Sequence, residues 1–144
     1  MKSKIVIHHS LTQDSGTVSW GAIERYHTQT MGWADIGYHF GVELIGDTYY
    51  SLLGRAEHKV AAAVREGDLN KTGIHICMVG NFDLAPPPEA MMDCLIRRVL
   101  YPVMDRWSIG VDDLYGHNNF ATYKTCPGTK FPMEALKDRL RKLL

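Results

Sequence analysis

His8, His117 and Cys126 lie far apart in the sequence, but each falls where a strand should end or a loop begin. Two imidazoles and one thiolate make a three-ligand zinc site with its fourth position open. Hydrolytic zinc needs that opening, because a water must sit there and lose a proton near neutral pH. Thiolate combined with imidazole favours zinc over magnesium or calcium. The spacing is irregular, however, and seven histidines scattered over an ordinary surface would offer a similar set. A single loop cysteine with several histidines also fits a cysteine hydrolase. That chemistry wants its cysteine at a helix N-terminus, whereas Pro127 directly follows Cys126 here. Attack on an amide builds negative charge on oxygen, which a cation or a phenol can stabilise. Lys124 and Tyr38 are the candidates. Taken alone, they are equally a solvated loop lysine and a half-buried strand aromatic.

The elements that must position these groups follow from the pattern. Lys4 to His8 is a short β-rich run with its functional group at the C-terminal end. Neighbouring side chains on a strand point to opposite faces, so His8 and His9 cannot both serve one site. The residues leave that choice open. Asp14-Ser15-Gly16 marks a turn. Ser19 can cap a helix running to about Met31, with Trp20, Ile23 and Tyr26 at helical spacing and Gly32 at its end. Residues 37–44 and 48–53 read as a hairpin about the Gly46-Asp47 turn. Glu57 to Arg65 is alanine-rich and reads as either a helix or a covering loop. Ile74 to Val79 is nearly all apolar, as a central strand buried on both faces should be.

Pro86-Pro87-Pro88 leads into a long helix reaching about Trp107, which Pro102 should kink or break. Val111 to Tyr115 reads as a further strand. Pro132 opens a last helix in which Leu136, Leu140 and Leu143 face inward and Asp138 pairs with Lys142. The nine residues from His117 to Cys126 suit a loop that leaves a strand and curls back. Strands alternating with helices predict one α/β domain over residues 1–144, with a central sheet covered by helices.

Bulk properties narrow the function. The chain has 144 residues, enough for one real core, with sixteen basic and sixteen acidic residues in balance. The absence of a basic stripe argues against nucleic acid, and no apolar run approaches the roughly twenty residues of a membrane span. Only three apolar residues follow the charged start, which is not the pattern of a signal peptide. The expectation is synthesis in the cytoplasm. Cys77 and Cys94 sit in apolar patterns and read as buried small hydrophobes, and no disulfide framework is expected.

Four blocks then occur in order: Ile7-His8-His9-Ser10, Gly32 to Phe40 (Gly-Trp-Ala-Asp-Ile-Gly-Tyr-His-Phe), Ile76 to Phe82 (Ile-Cys-Met-Val-Gly-Asn-Phe) and Lys124 to Gly128 (Lys-Thr-Cys-Pro-Gly). Together they resemble the zinc-dependent N-acetylmuramoyl-L-alanine amidases, a family shared by phage amidase-type lysozymes and peptidoglycan recognition proteins. The resemblance implies a mixed central sheet flanked by helices, a Zn2+ cofactor and peptidoglycan as partner; a monomer without membrane insertion is expected. By position it implies His8 rather than His9, then His117 and Cys126, as zinc ligands. Tyr38 falls at a tyrosine that contacts the water or substrate carbonyl, and Lys124 at a lysine that stabilises the oxyanion. The implied reaction splits the amide between the lactyl group of N-acetylmuramic acid and L-alanine.

Ala61-Ala62-Ala63 stands where many members have a Gly-Ala-His-like segment. Cys77 stands where cytosolic wall-recycling amidases carry glutamate. This departure points toward the phage-lysozyme branch and a lysin acting on the cell wall. Non-catalytic recognition proteins typically lack the cysteine ligand, so Cys126 favours catalysis. Asn119 and Phe120, lying between two ligands, are expected to line the cleft, and Arg65 reads as an ordinary surface arginine with a peptide carboxylate as its alternative partner. Trp33 is expected in the core.

Overall fold

The computed structural model describes residues 1–11 and 19–144, so the expected turn at Asp14-Ser15-Gly16 lies outside it. Its elements in order are β1 (Lys4–His9), α1 (Trp20–Arg25), β2 (Phe40–Ile45), β3 (Thr48–Leu53), α2 (Leu69–Thr72), β4 (Gly73–Met78), α3 (Glu89–Cys94), α4 (Tyr101–Trp107), β5 (Leu114–Gly116) and α5 (Met133–Leu143). The strands form one mixed sheet in the order β3-β2-β4-β1-β5. Only the β2–β3 hairpin is antiparallel; β1 runs parallel to both β4 and β5.

Alternation along β1 and β4 sorts the sheet into two faces. Ile5, Ile7, Ile74, Ile76 and Met78 point to one side, where Leu95, Val99, Leu100, Val103, Leu136 and Leu140 complete the main core. Full burial of each such side chain is worth roughly 1.5–3 kcal/mol. His8, His75 and Cys77 point to the other side, where the apolar cluster is small and built on Trp20, Ile36 and Cys77. Chemistry and core therefore share the same strands, one residue out of phase.

Several expectations are refined. Ser19 caps α1, its hydroxyl accepting from the Ala22 N–H, and the helix continues through a widened turn at Tyr26–Thr30 before Gly32 at φ +74°. Tyr26 is exposed, off the apolar face expected for it. Residues 57–65 are loop, pinned by Asn70, whose Oδ1 accepts from the Ala63 and Val64 N–H groups. The long helix does not break at Pro102. Between α3 and α4 the segment Leu95–Leu100 widens, and the Tyr101 N–H reaches back to the Ile96 carbonyl. That turn gives the backbone room where Pro102 brings no donor and a crowding ring.

Val111–Asp113 forms a tight helical turn rather than strand, leaving β5 only Leu114–Gly116. On α5, Leu136 and Leu140 are fully buried while Leu143 is exposed at the fraying end. Asp138 pairs with Arg141 at 3.0 Å instead of with Lys142. No helix among the described residues is long and apolar enough to cross a membrane.

Candidate metal centre

Strand register brings the first two candidate ligands together. Ile7 on β1 lies opposite Gly116 on β5, so His8 and His117 are the next residues of two adjacent parallel strands at their C-terminal ends. Their ring centroids are 4.8 Å apart. Open α/β sheets commonly bind ligands at this end of the strands. Cys126 arrives on the loop after β5, which folds back so that the Asn118 N–H donates to the Cys126 carbonyl at 2.7 Å. The following turn is anchored by Asp83, which accepts from the Thr125 hydroxyl and the Thr129 N–H. Gly128, at φ +123°, lets this turn press on Phe82, since an added Cβ would meet the Phe82 carbonyl carbon at 2.4 Å.

The nitrogen and sulfur donors of His8, His117 and Cys126 all lie within 4.8 Å of one another. His8 Nδ1 is 3.7 Å from Cys126 Sγ, close to the roughly 3.5 Å that a tetrahedral zinc imposes on neighbouring nitrogen and sulfur ligands. The outer ring nitrogens are already engaged. His117 Nε2 sits 2.8 Å from Glu66 Oε1, and His8 Nε2 sits 2.9 Å from His75 Nδ1. The His9 N–H donates to Cys126 Sγ at 3.3 Å, an interaction that favours a thiolate. Oriented imidazoles with inward nitrogens available, together with one thiolate-forming cysteine, fit zinc. The His9 ring is engaged elsewhere, its Nδ1 accepting from the Phe82 N–H.

Tyr38 and Lys124 border the same cleft, a space of about 430 Å³ that also holds His8, His117 and Cys126. Arg55 fixes the segment carrying Tyr38, donating from its guanidinium to the carbonyls of Asp35, Ile36 and Val60. β2 starts at Phe40 and not at residue 37. Burial, followed by the neighbouring Cys77 and Cys126, holds the Tyr38 phenol well above the usual phenol range. An adjoining cleft of about 340 Å³ shares Ala63, His117 and Lys124 and is lined by Arg65, Glu66 and Trp33. Trp33 is thus half-buried at the cleft rather than in the core. Asn119 and Phe120 line neither cleft. The Asn119 Oδ1 accepts from the Gly116 N–H, and Phe120 packs edge-on against Tyr115 at 5.0 Å. A helical turn at His117–Asn119 rotates them outward, so sequence adjacency to ligands does not translate into cleft position.

Burial, followed by the imidazoles of His75 and His117 and the Lys124 ammonium, holds His8 well below the usual imidazole range, leaving it neutral. Burial pushes the Cys126 thiol up to about 11, opposed by the His9 N–H and Lys124. Behind the site, burial pushes His39 and His75 each down to about 4. An unfolded chain takes up these protons near pH 6.5, so between about pH 6.5 and 4 it binds protons that the fold refuses. Stability should therefore fall as pH falls through that window, by on the order of 3 kcal/mol per imidazole at its acid end. Urea midpoints measured across the window should decline steadily, and less steeply in His39→Gln.

Glu66 and His75 are the two site residues that sequence reasoning did not find. Glu66 carries no signal, being one loop carboxylate before Gly67. His75 does carry one, because it is the one histidine in an otherwise apolar strand.

A sequence profile for N-acetylmuramoyl-L-alanine amidase matches residues 2–129. The chain belongs to this amidase family. It is similar to the endolysin of Klebsiella phage KP32, 33% identical over 130 residues that cover 87% of this chain and 80% of that one. It is also similar to a human N-acetylmuramoyl-L-alanine amidase, 34% identical over 83% of this chain but only 19% of that protein. The chain therefore spans about a fifth of its human relative. Among solved structures it resembles the N-acetylmuramoyl-L-alanine amidase LysC from Clostridium intestinale URNW, with a TM-score of 0.79 and 30% identity, covering 97% of this chain and 85% of that one. The expected α/β amidase fold with a mixed sheet is borne out.

Proposed function

We propose that this amidase-family chain is a zinc hydrolase that cleaves the amide between N-acetylmuramic acid and L-alanine in peptidoglycan, acting as a phage- or prophage-type endolysin. The observation that carries this reading is the convergence of His8, His117 and Cys126 beside Lys124 and Tyr38 in one open cleft. His8, His117 and Cys126 would hold the zinc ion. When bound, zinc supplies Lewis acidity, lowering the pKa of a coordinated water toward neutrality and polarising an amide carbonyl. Glu66 keeps the His117 ring aimed inward. The Lys124 ammonium, on the border of both clefts, offsets the negative charge that develops on the carbonyl oxygen. The phenol of Tyr38, on the border of the same cleft, orients the attacking water or the carbonyl oxygen. Arg65 lies on the wall of the adjoining cleft, which supports a role in meeting a stem-peptide carboxylate.

Purified protein added to cell-wall sacculi should release new L-alanine N-termini and free lactyl groups, and should stop on chelation and resume with added zinc. Cleavage that survives full chelation would remove zinc from the mechanism. Sacculus binding without cleavage would make the chain a recognition module. A marked preference for soluble anhydro-muropeptides over sacculi would make it a recycling enzyme.

A further inference from the structure

We propose that His75 is a positioning residue that fixes the tautomer of His8, so that the lone pair of His8 Nδ1 faces the metal position. The proposal rests on the zinc reading above. His75 lies on β4, fully buried, with its backbone opposite Val6 of β1 and thus diagonal to His8. Its Nε2 is 2.8 Å from the Leu69 carbonyl oxygen, and its Nδ1 is 2.9 Å from His8 Nε2. A carbonyl can only accept, so the proton of His75 sits on Nε2 and its Nδ1 is a lone pair. The neighbouring His8 Nε2 must then donate. In the neutral ring this leaves Nδ1 of His8 without a proton, and Nδ1 is the nitrogen that faces Cys126 Sγ at 3.7 Å.

His39 secures the arrangement from behind. Its Nε2–H donates to the Lys59 carbonyl at 2.8 Å, and its Nδ1 accepts from the His75 backbone N–H at 3.0 Å. His39 and His75 thus each donate to a main-chain carbonyl, and His8 donates to the lone pair this leaves on His75 Nδ1. The two ligand rings are held by different means. His117 rests on the Glu66 carboxylate, whereas His8 rests on a neutral ring that brings no further charge into the wall of the site. A ligand imidazole left without its outer partner can rotate or exchange tautomers, and loss of such partners typically weakens metal binding 10–100-fold.

The first test uses the metal-free parent protein, with the imidazole nitrogens read by 15N NMR at neutral pH. His8 should carry its proton on Nε2; a proton on Nδ1 overturns the proposal whether or not zinc binds. The second compares zinc affinity by chelator competition in the parent, His75→Leu and His75→Asn, each checked for folding by its thermal melt. Leucine fills space but cannot accept, so His75→Leu should lose about 10–100-fold in affinity. Asparagine can place an acceptor near the position of Nδ1, so His75→Asn should recover to within about threefold of the parent. Parent-like affinity in His75→Leu overturns the proposal. If His75→Leu does not fold, the NMR result and His75→Asn decide it. A parent that binds no zinc defeats the zinc reading, while the tautomer is still scored by NMR.

Discussion

Replacing Cys126 with alanine is expected to weaken zinc binding by several hundredfold and to bring amide cleavage down with it. Four-ligand protein zinc sites bind with about 10–16 kcal/mol in total, so one ligand carries roughly 3–4 kcal/mol, a factor of several hundred. Cys126 is the one thiolate former among the clustered ligands and the one that needs the metal to ionise. With its thiol pushed up to about 11 by burial, the metal-free protein holds SH at neutral pH, and zinc uptake must displace that proton. Parental affinity should therefore rise about tenfold per pH unit between roughly pH 7 and 9. The alanine variant should lose that dependence. Chelator competition across pH, with calorimetry in buffers of different ionisation heat, measures both. Serine should behave nearly as badly as alanine, because its hydroxyl does not ionise in this range. A variant that keeps affinity within about tenfold of the parent would remove Cys126 from the ligand set.

Lys124→Met should reduce kcat by about 100–1000-fold, the usual cost of losing one donor to a developing oxyanion, with a much smaller change in zinc affinity from the loss of its charge beside Cys126. Lys124 borders both clefts, and its backbone N–H is tied to the Ala121 carbonyl at 2.9 Å, so the substitution removes the charge without loosening the loop. Methionine keeps the apolar stem. An interaction made mainly in the transition state lowers kcat and kcat/KM together with little change in KM. If KM rises and kcat holds, Lys124 binds substrate instead. If zinc is lost along with activity, the lysine supports the ligand loop.

The opposite facing of His8 and His9, and the buried apolar run from Ile74 to Val79, were readable in the sequence because the side-chain pattern of a strand is a local property. So were the caps and the hairpin turn. The convergence of His8 with His117 depends on which strands become neighbours, and β1 lying between β4 and β5 is a property of the whole sheet. Resemblance supplied that pairing; spacing did not. The same nonlocality hid Glu66, which reaches His117 across 51 residues of chain. Asn119 and Phe120 went the other way. They adjoin a ligand in sequence, but one helical turn aims them elsewhere. His75 was readable in principle, as a polar interruption of a buried strand that must find partners.

The ends of the site give the ion a second consequence. His8 and Cys126 are 118 residues apart, so a metal shared between them would fasten the first strand to a turn near the last helix. Closing so long a span deprives the unfolded chain of freedom worth roughly 4–5 kcal/mol if the clasp were covalent, and less for an ion that can be released. Within that span lies the exposed edge of the Val60–Gly67 loop. A single cut there would leave two fragments that the sheet pairs through β1, β2, β4 and β5, and a metal held by His8 and Cys126 would add a further clasp between them.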